Sequence, residues 1–123
     1  MAKFQDFCTN RKAYKQISQR KYYIVIDGRR IGILLATKNG NYDTYALNKA
    51  ELESLLAAKA AGRVDEAYVV AIEQVGALSW EYFDEIEAEQ LKKSLKEVPP
   101  RTGRYGDFYT LGDFAFENSD APF

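Results

Sequence analysis

Two dipeptides, Asp27-Gly28 and Asn39-Gly40, divide a strongly β-forming stretch, "YYIVIDGRRIGILLATKNGNYDTYAL", into three pieces. Asp-Gly and Asn-Gly accept positive φ at the centre of a tight turn, the strongest short-range signal for a hairpin. The spacing predicts a three-stranded meander over residues 22–26, 30–37 and 41–47. The first two strands are apolar at consecutive positions instead of alternating. Both faces of the sheet must then be covered, by helices or by a second subunit in a homodimer.

The flanking segments predict three helices and one more strand. "FQDFCTNRKAYKQISQRK" reads as helical, with Asn10 able to cap a helix from Arg11 and Tyr14 and Ile17 on one face. Asn48 and Glu51 form a capping box with Asn in the capping position, opening a helix to about Ala61. Its buried stripe is Leu52, Leu55 and Leu56, and Gly62 is a good terminator. "EAYVVAIEQV" is a strand apolar on both faces. Ser79 caps a third helix over "WEYFDEIEAEQLKKSLKEV", with Trp80, Phe83, Ile86, Leu91, Leu95 and Val98 inward, and Pro99-Pro100 stops it. The fold class expected is α+β: one domain over residues 1–98, a four-stranded mainly antiparallel sheet covered by three helices. An extended aromatic and acidic arm follows over residues 99–123, in which "DFYTL" reads as an edge strand or as an arm laid over the domain.

Composition narrows the chemistry. The 123 residues contain no histidine and one cysteine, Cys8. Ser-His and Cys-His nucleophile activation and an ordinary structural zinc site are thereby removed. A lone cysteine fits a reducing compartment, and the N-terminus has no signal-peptide core, so the expected location is the cytoplasm. No apolar run approaches the ~18 residues of a membrane helix. We expect a non-enzymatic chain with no cofactor, no metal site and no membrane partner.

Charge is uneven. Residues 1–38 hold nine basic and two acidic side chains, whereas residues 39–123 hold eight basic and sixteen acidic ones. A basic surface that meets an anion is one consequence of such a split; mutual attraction of the two parts inside the fold is the other. The basic residues are Arg11, Lys12, Lys15, Arg20, Lys21, Arg29, Arg30 and Lys38, beside Tyr22 and Tyr23. Cations next to aromatic rings suit single-stranded nucleic acid, where phosphates pair and bases stack. Arg29 and Arg30 fall at the tip of the first hairpin, where solvated side chains are expected.

Three resemblances add to this reading. The order of helix, meander, helix, strand and helix resembles the cores of restriction-endonuclease-like and ribonuclease H-like enzymes, which implies a carboxylate-held metal. The sequence lacks the Glu-x-Lys that the first of these requires, and Asp27, Asp43 and Glu73 are the only acids near strands. The hairpin "YYIVIDGRRIGILLAT" resembles the start of the small hybrid-binding domain found in some ribonuclease H proteins. The terminus "ENSDAPF" resembles the C-terminal tip of bacterial single-stranded-DNA-binding proteins, with Asp120, Pro122 and Phe123 matching. That resemblance implies a partner-docking tip whose terminal ring and carboxylate are read by a protein partner. The expected function is a nucleic-acid-associated accessory module, with a basic face for single-stranded or hybrid nucleic acid and an acidic-aromatic docking tail. The alternatives are a protein-interaction protein that makes no nucleic-acid contact, such as an inhibitor or toxin–antitoxin-type partner, and a divergent carboxylate-metal nuclease.

Overall fold

The structure, a computed structural model, describes residues 3–40 and 42–112. Its centre is strand β3 (Arg29–Lys38). One edge of β3 pairs in parallel with β5 (Glu66–Gln74) over residues 31–38. The other edge is shared by two strands. β2 (Lys21–Ile26) occupies residues 29–34 of β3 antiparallel, and β4 (Tyr45–Asn48) meets β3 at the single pair Thr37↔Ala46. The sheet therefore forks. One branch continues from β2 to the short β1 (Lys15–Gln16). The other continues from β4 to β8 (Gly106–Leu111) and then β7 (Arg101–Gly103). Beyond β5 lies β6 (Trp80–Glu87), which forms the far edge.

Local chemistry accounts for the first hairpin. Asp27 and Gly28 have φ of 51° and 78°, the left-handed pair that a two-residue turn between twisted strands requires. Helix α1 (Lys49–Ala60) begins as its capping residues predict: the Glu51 backbone N–H donates to Asn48 Oδ1 at 2.9 Å. Gly62, with φ of 76°, ends it.

The expected four-stranded sheet under three helices is corrected by the structure. Among the described residues there are eight strands in one sheet and two α-helices, α1 and α2 (Ala88–Ser94). The first eight residues of the expected third helix are β6, and α2 is what remains helical in it. A bulge opposite Ala71 and Ile72 inserts one residue into β6. Trp80 and Tyr82 consequently reach one core, while Phe83 and Ile86 reach the other. The bulge gives a two-faced strand the apolar spacing 80, 83, 86 of a helix. The expected first helix is replaced by turns and a 3₁₀ segment, Arg11–Ala13. Tyr14 is buried and Ile17 is 57% exposed, so they do not share a face. The second expected turn is also longer. β3 and β4 are joined by residues 39–44 and not by a two-residue Asn-Gly loop.

Two cores result, one on each face of the sheet. On the helix side, Leu34, Ala36, Leu47, Val69 and Tyr109 pack against Leu52 and Leu55 of α1 and Leu91 of α2. On the opposite side, Ile31, Ile33, Leu35, Val70 and Ile72 are covered by Phe4, Phe7 and Tyr14 of the N-terminal segment. Phe7 stands edge-to-face against Tyr14 and Tyr22, with centroids 5.0 and 4.8 Å away. Tyr14 Oη donates to Asp6 Oδ1 at 2.7 Å, and Phe4 N–H donates to Glu85 Oε1 at 2.8 Å. Both faces of β3 and β5 are thus covered within one chain. Residues 101–111, expected in an arm, form a hairpin whose inner strand, β8, pairs with β4.

Candidate functional site

Strand alternation and ion pairing divide the eight expected basic residues. Arg29 Nε lies 2.7 Å from Glu66 Oε2, and Lys3 Nζ lies 2.9 Å from the other oxygen, Oε1. Arg30 holds Asp65 through Nε, Nη2 and its backbone N–H. Arg20 pairs with Glu51 at 3.1 Å, and Lys38 with Glu73 at 3.4 Å. The hairpin-tip arginines are exposed, with side chains 58% and 43% accessible, and each is also paired with a carboxylate. All five pairs join the basic first part of the sequence to its acidic remainder. Their effect on the acids is direct. Hydrogen bonds from Lys3 and Arg29 hold the Glu66 carboxyl down at about 2, and those from Arg30 hold Asp65 well below the carboxylate range.

Arg11 lies over the rings of Phe7 and Tyr22, with its guanidinium carbon 5.0 and 5.6 Å from the centroids, on the N-terminal side of the sheet. Lys12 is exposed on the 3₁₀ segment beside it. Asp120, Pro122 and Phe123 lie outside the described residues.

What remains is a smaller constellation on the β1–β2 branch. Lys15 stands directly opposite Tyr23, and Tyr23 opposite Gly32. Paired residues share a face, as do residues two apart, so Lys15, Lys21, Tyr23 and Val25 all lie on the helix side. Helix α1 covers β3 there but reaches β2 only at its rim. Val25 is 52% exposed, and Tyr23 is half-buried. A groove of about 120 Å³ runs between this branch and α1, lined by Ile17, Lys21, Tyr23, Gly32, Ser54 and Leu55. The backbone of β3 packs closely under α1 here: a Cβ at Gly32 would come within 2.7 Å of Leu55 Cδ1, and that side chain would have to shift. Lys21 Nζ donates to the neutral Ser54 Oγ at 3.2 Å and makes no ion pair among the described residues. Among the described residues Lys15 makes no ion pair. Two ammonium groups that no described carboxylate pairs with thus flank one accessible phenol ring beside a shallow groove.

A second concavity lies at the fork. Arg20, Ala46, Asn48, Gly103, Arg104, Tyr105, Gly106 and Phe108 enclose about 190 Å³. Arg104 and Tyr105 did not emerge from the sequence as site residues. The signal that could have found them is the Gly-Arg-Tyr-Gly turn of the β7–β8 hairpin, which holds both at a tip. The acids discussed for a nuclease do not converge: Asp27 is in a turn and Glu73 faces Lys38. Among the described residues no group of three or more acidic, cysteine or histidine side chains is placed to hold a metal ion. No described helix is long and apolar enough to cross a membrane. Comparison with known proteins gives no match, whether to a family model, a curated protein or a solved structure.

Proposed function

We propose that the chain is a non-enzymatic module that binds single-stranded nucleic acid along the helix-side face of the β1–β2 branch. The observation that carries this is the register Lys15↔Tyr23, with Lys21 two residues along on the same face. A flat ring between two cations offers a base something to stack on and its flanking phosphates something to pair with. A strand face beside a shallow groove admits an unpaired strand, whereas a duplex keeps its bases stacked inside. Lys15 and Lys21 contact phosphates, and Tyr23 supplies the platform. Arg20, Arg29, Arg30 and Lys38 serve the fold first, through their carboxylate partners.

That last feature also favours the competing reading, a protein-interaction protein in which the charge asymmetry is spent inside the molecule. Fluorescence anisotropy with a short labelled poly(dT) oligonucleotide at low salt separates the two. The proposal predicts saturable binding, weakened about fivefold or more by Tyr23→Ala, since stacking contributes roughly 1–3 kcal/mol per base, and largely kept by Tyr23→Phe. Absence of saturable binding at low salt overturns it in favour of the protein-interaction reading.

A further inference from the structure

We propose that the notch at the fork of the sheet is a second subsite, holding one unpaired nucleotide with its base against Tyr105 and its phosphate on Arg104. This rests on the reading of the chain as a binder of single-stranded nucleic acid and extends it to a place that the basic N-terminal residues alone do not mark.

The notch exists because β2 and β4 share one edge of β3. The chain enters β2 from Arg20, whose carbonyl accepts from Leu35 N–H at 2.9 Å, and β4 takes up the same edge two positions further along β3. The β7–β8 hairpin overhangs the notch, and Asn48 Nδ2 donates to the Tyr105 carbonyl at 3.4 Å, which fixes the overhang to the start of α1. Tyr105 is 78% exposed despite being a large ring at the rim of a concavity. The Arg104 guanidinium carbon sits 5.8 Å from the centroid of that ring.

Size and charge then restrict the ligand. A volume of about 190 Å³ is well below the ~300–1,000 Å³ of pockets for drug-sized molecules, so one ring system is accommodated and a base pair is not. The apolar lining, from Ala46, Phe108 and Tyr105, suits a flat ring. Of the two guanidinium groups, Arg20 is partly neutralised by Glu51, and Arg104 makes no ion pair among the described residues. Asp107, on the same hairpin, accepts from Thr102 Oγ1 at 3.5 Å. An anion is therefore met by Arg104 first and by Arg20 second. A phosphate attached to an aromatic base satisfies both requirements, as a purely apolar ligand or a free phosphate does not.

The test is an amide chemical-shift titration of the intact chain with a short poly(dT) oligonucleotide, repeated with thymidine monophosphate. Shifts at Gly103, Arg104, Tyr105 and Gly106 with both probes, lost in Arg104→Ala and Tyr105→Ala, are the expected result. Both side chains are at a hairpin tip, so neither variant should disturb the fold. In anisotropy, Tyr105→Ala should weaken oligonucleotide binding about fivefold or more, and Tyr105→Phe should not. Shifts confined to Lys15, Lys21 and Tyr23 would overturn the notch while leaving the proposed function in place. Shifts confined to the notch would support the subsite and overturn the β1–β2 face. No shifts with either probe would overturn both.

Discussion

Phe7→Ala should remove much of the stability of this chain. Phe7 is fully buried, and it is the pivot of the N-terminal cover: Tyr14 and Tyr22 meet it edge-to-face, and Arg11 lies over its ring. Truncating a buried Phe costs roughly 3–5 kcal/mol, combining lost transfer free energy with the cavity left behind. Native domains have only about 5–15 kcal/mol in total. With a urea m-value near 2 kcal/mol/M, a loss of about 4 kcal/mol lowers the midpoint by roughly 2 M. Urea titration followed by both tryptophan fluorescence and circular dichroism is the assay. Trp80, the single tryptophan, packs in the same core as Phe7, whereas dichroism reports the whole sheet. Coincident midpoints, both lowered, are expected if the cover and the sheet unfold together. A loss below about 1 kcal/mol with an unchanged m-value would refute the reasoning, because the N-terminal segment would then not be what covers this face.

Three further outcomes follow from named contacts. Gly32→Ala should destabilise by about 1–3 kcal/mol, because its Cβ collides with Leu55 Cδ1; thermal melting reads this. Asn48→Ala should cost about 1 kcal/mol through the lost cap of α1, again read by melting. The folded Glu66 carboxyl titrates at about 2, below its ordinary 4.5. A lowered carboxylate contributes stability above the ordinary value, and that contribution disappears as pH falls from about 4.5 to about 2. Acid unfolding followed by dichroism should show this loss, and Glu66→Gln should flatten the slope in that window.

The sequence displayed some of this architecture and hid the rest for physical reasons. The Asp27-Gly28 turn, α1 with its Asn48 cap, and β5 are governed by local rules, and they stand where those rules place them. β6 was hidden by a bulge, since one inserted residue turns the two-residue period of a strand into the three-residue spacing of a helix face. The N-terminal segment was hidden because its aromatic residues obey a tertiary demand, the cover of Ile31, Ile33 and Val70. For the site, the residue types were legible but their grouping was not. Arg29 and Arg30 looked like unpaired cations because Asp65 and Glu66 are more than thirty residues away in sequence. Lys15 and Tyr23 share a face only because β1 folds back on β2. Arg104 and Tyr105 acquire meaning only when β8 pairs with β4 and swings their turn over the fork.

The central claim is that Lys15 and Lys21 contact the phosphates of a single strand beside Tyr23. The most direct measurement is the salt dependence of poly(dT) affinity for the unaltered chain and for Lys15→Ala/Lys21→Ala. Each phosphate contact on a single strand contributes a slope of about −0.7 in a plot of log affinity against log salt. The double variant should therefore bind more weakly with a slope shallower by about 1.4, at an unchanged melting temperature, since neither lysine pairs with a carboxylate among the described residues. An unchanged slope and affinity in the double variant would contradict the account.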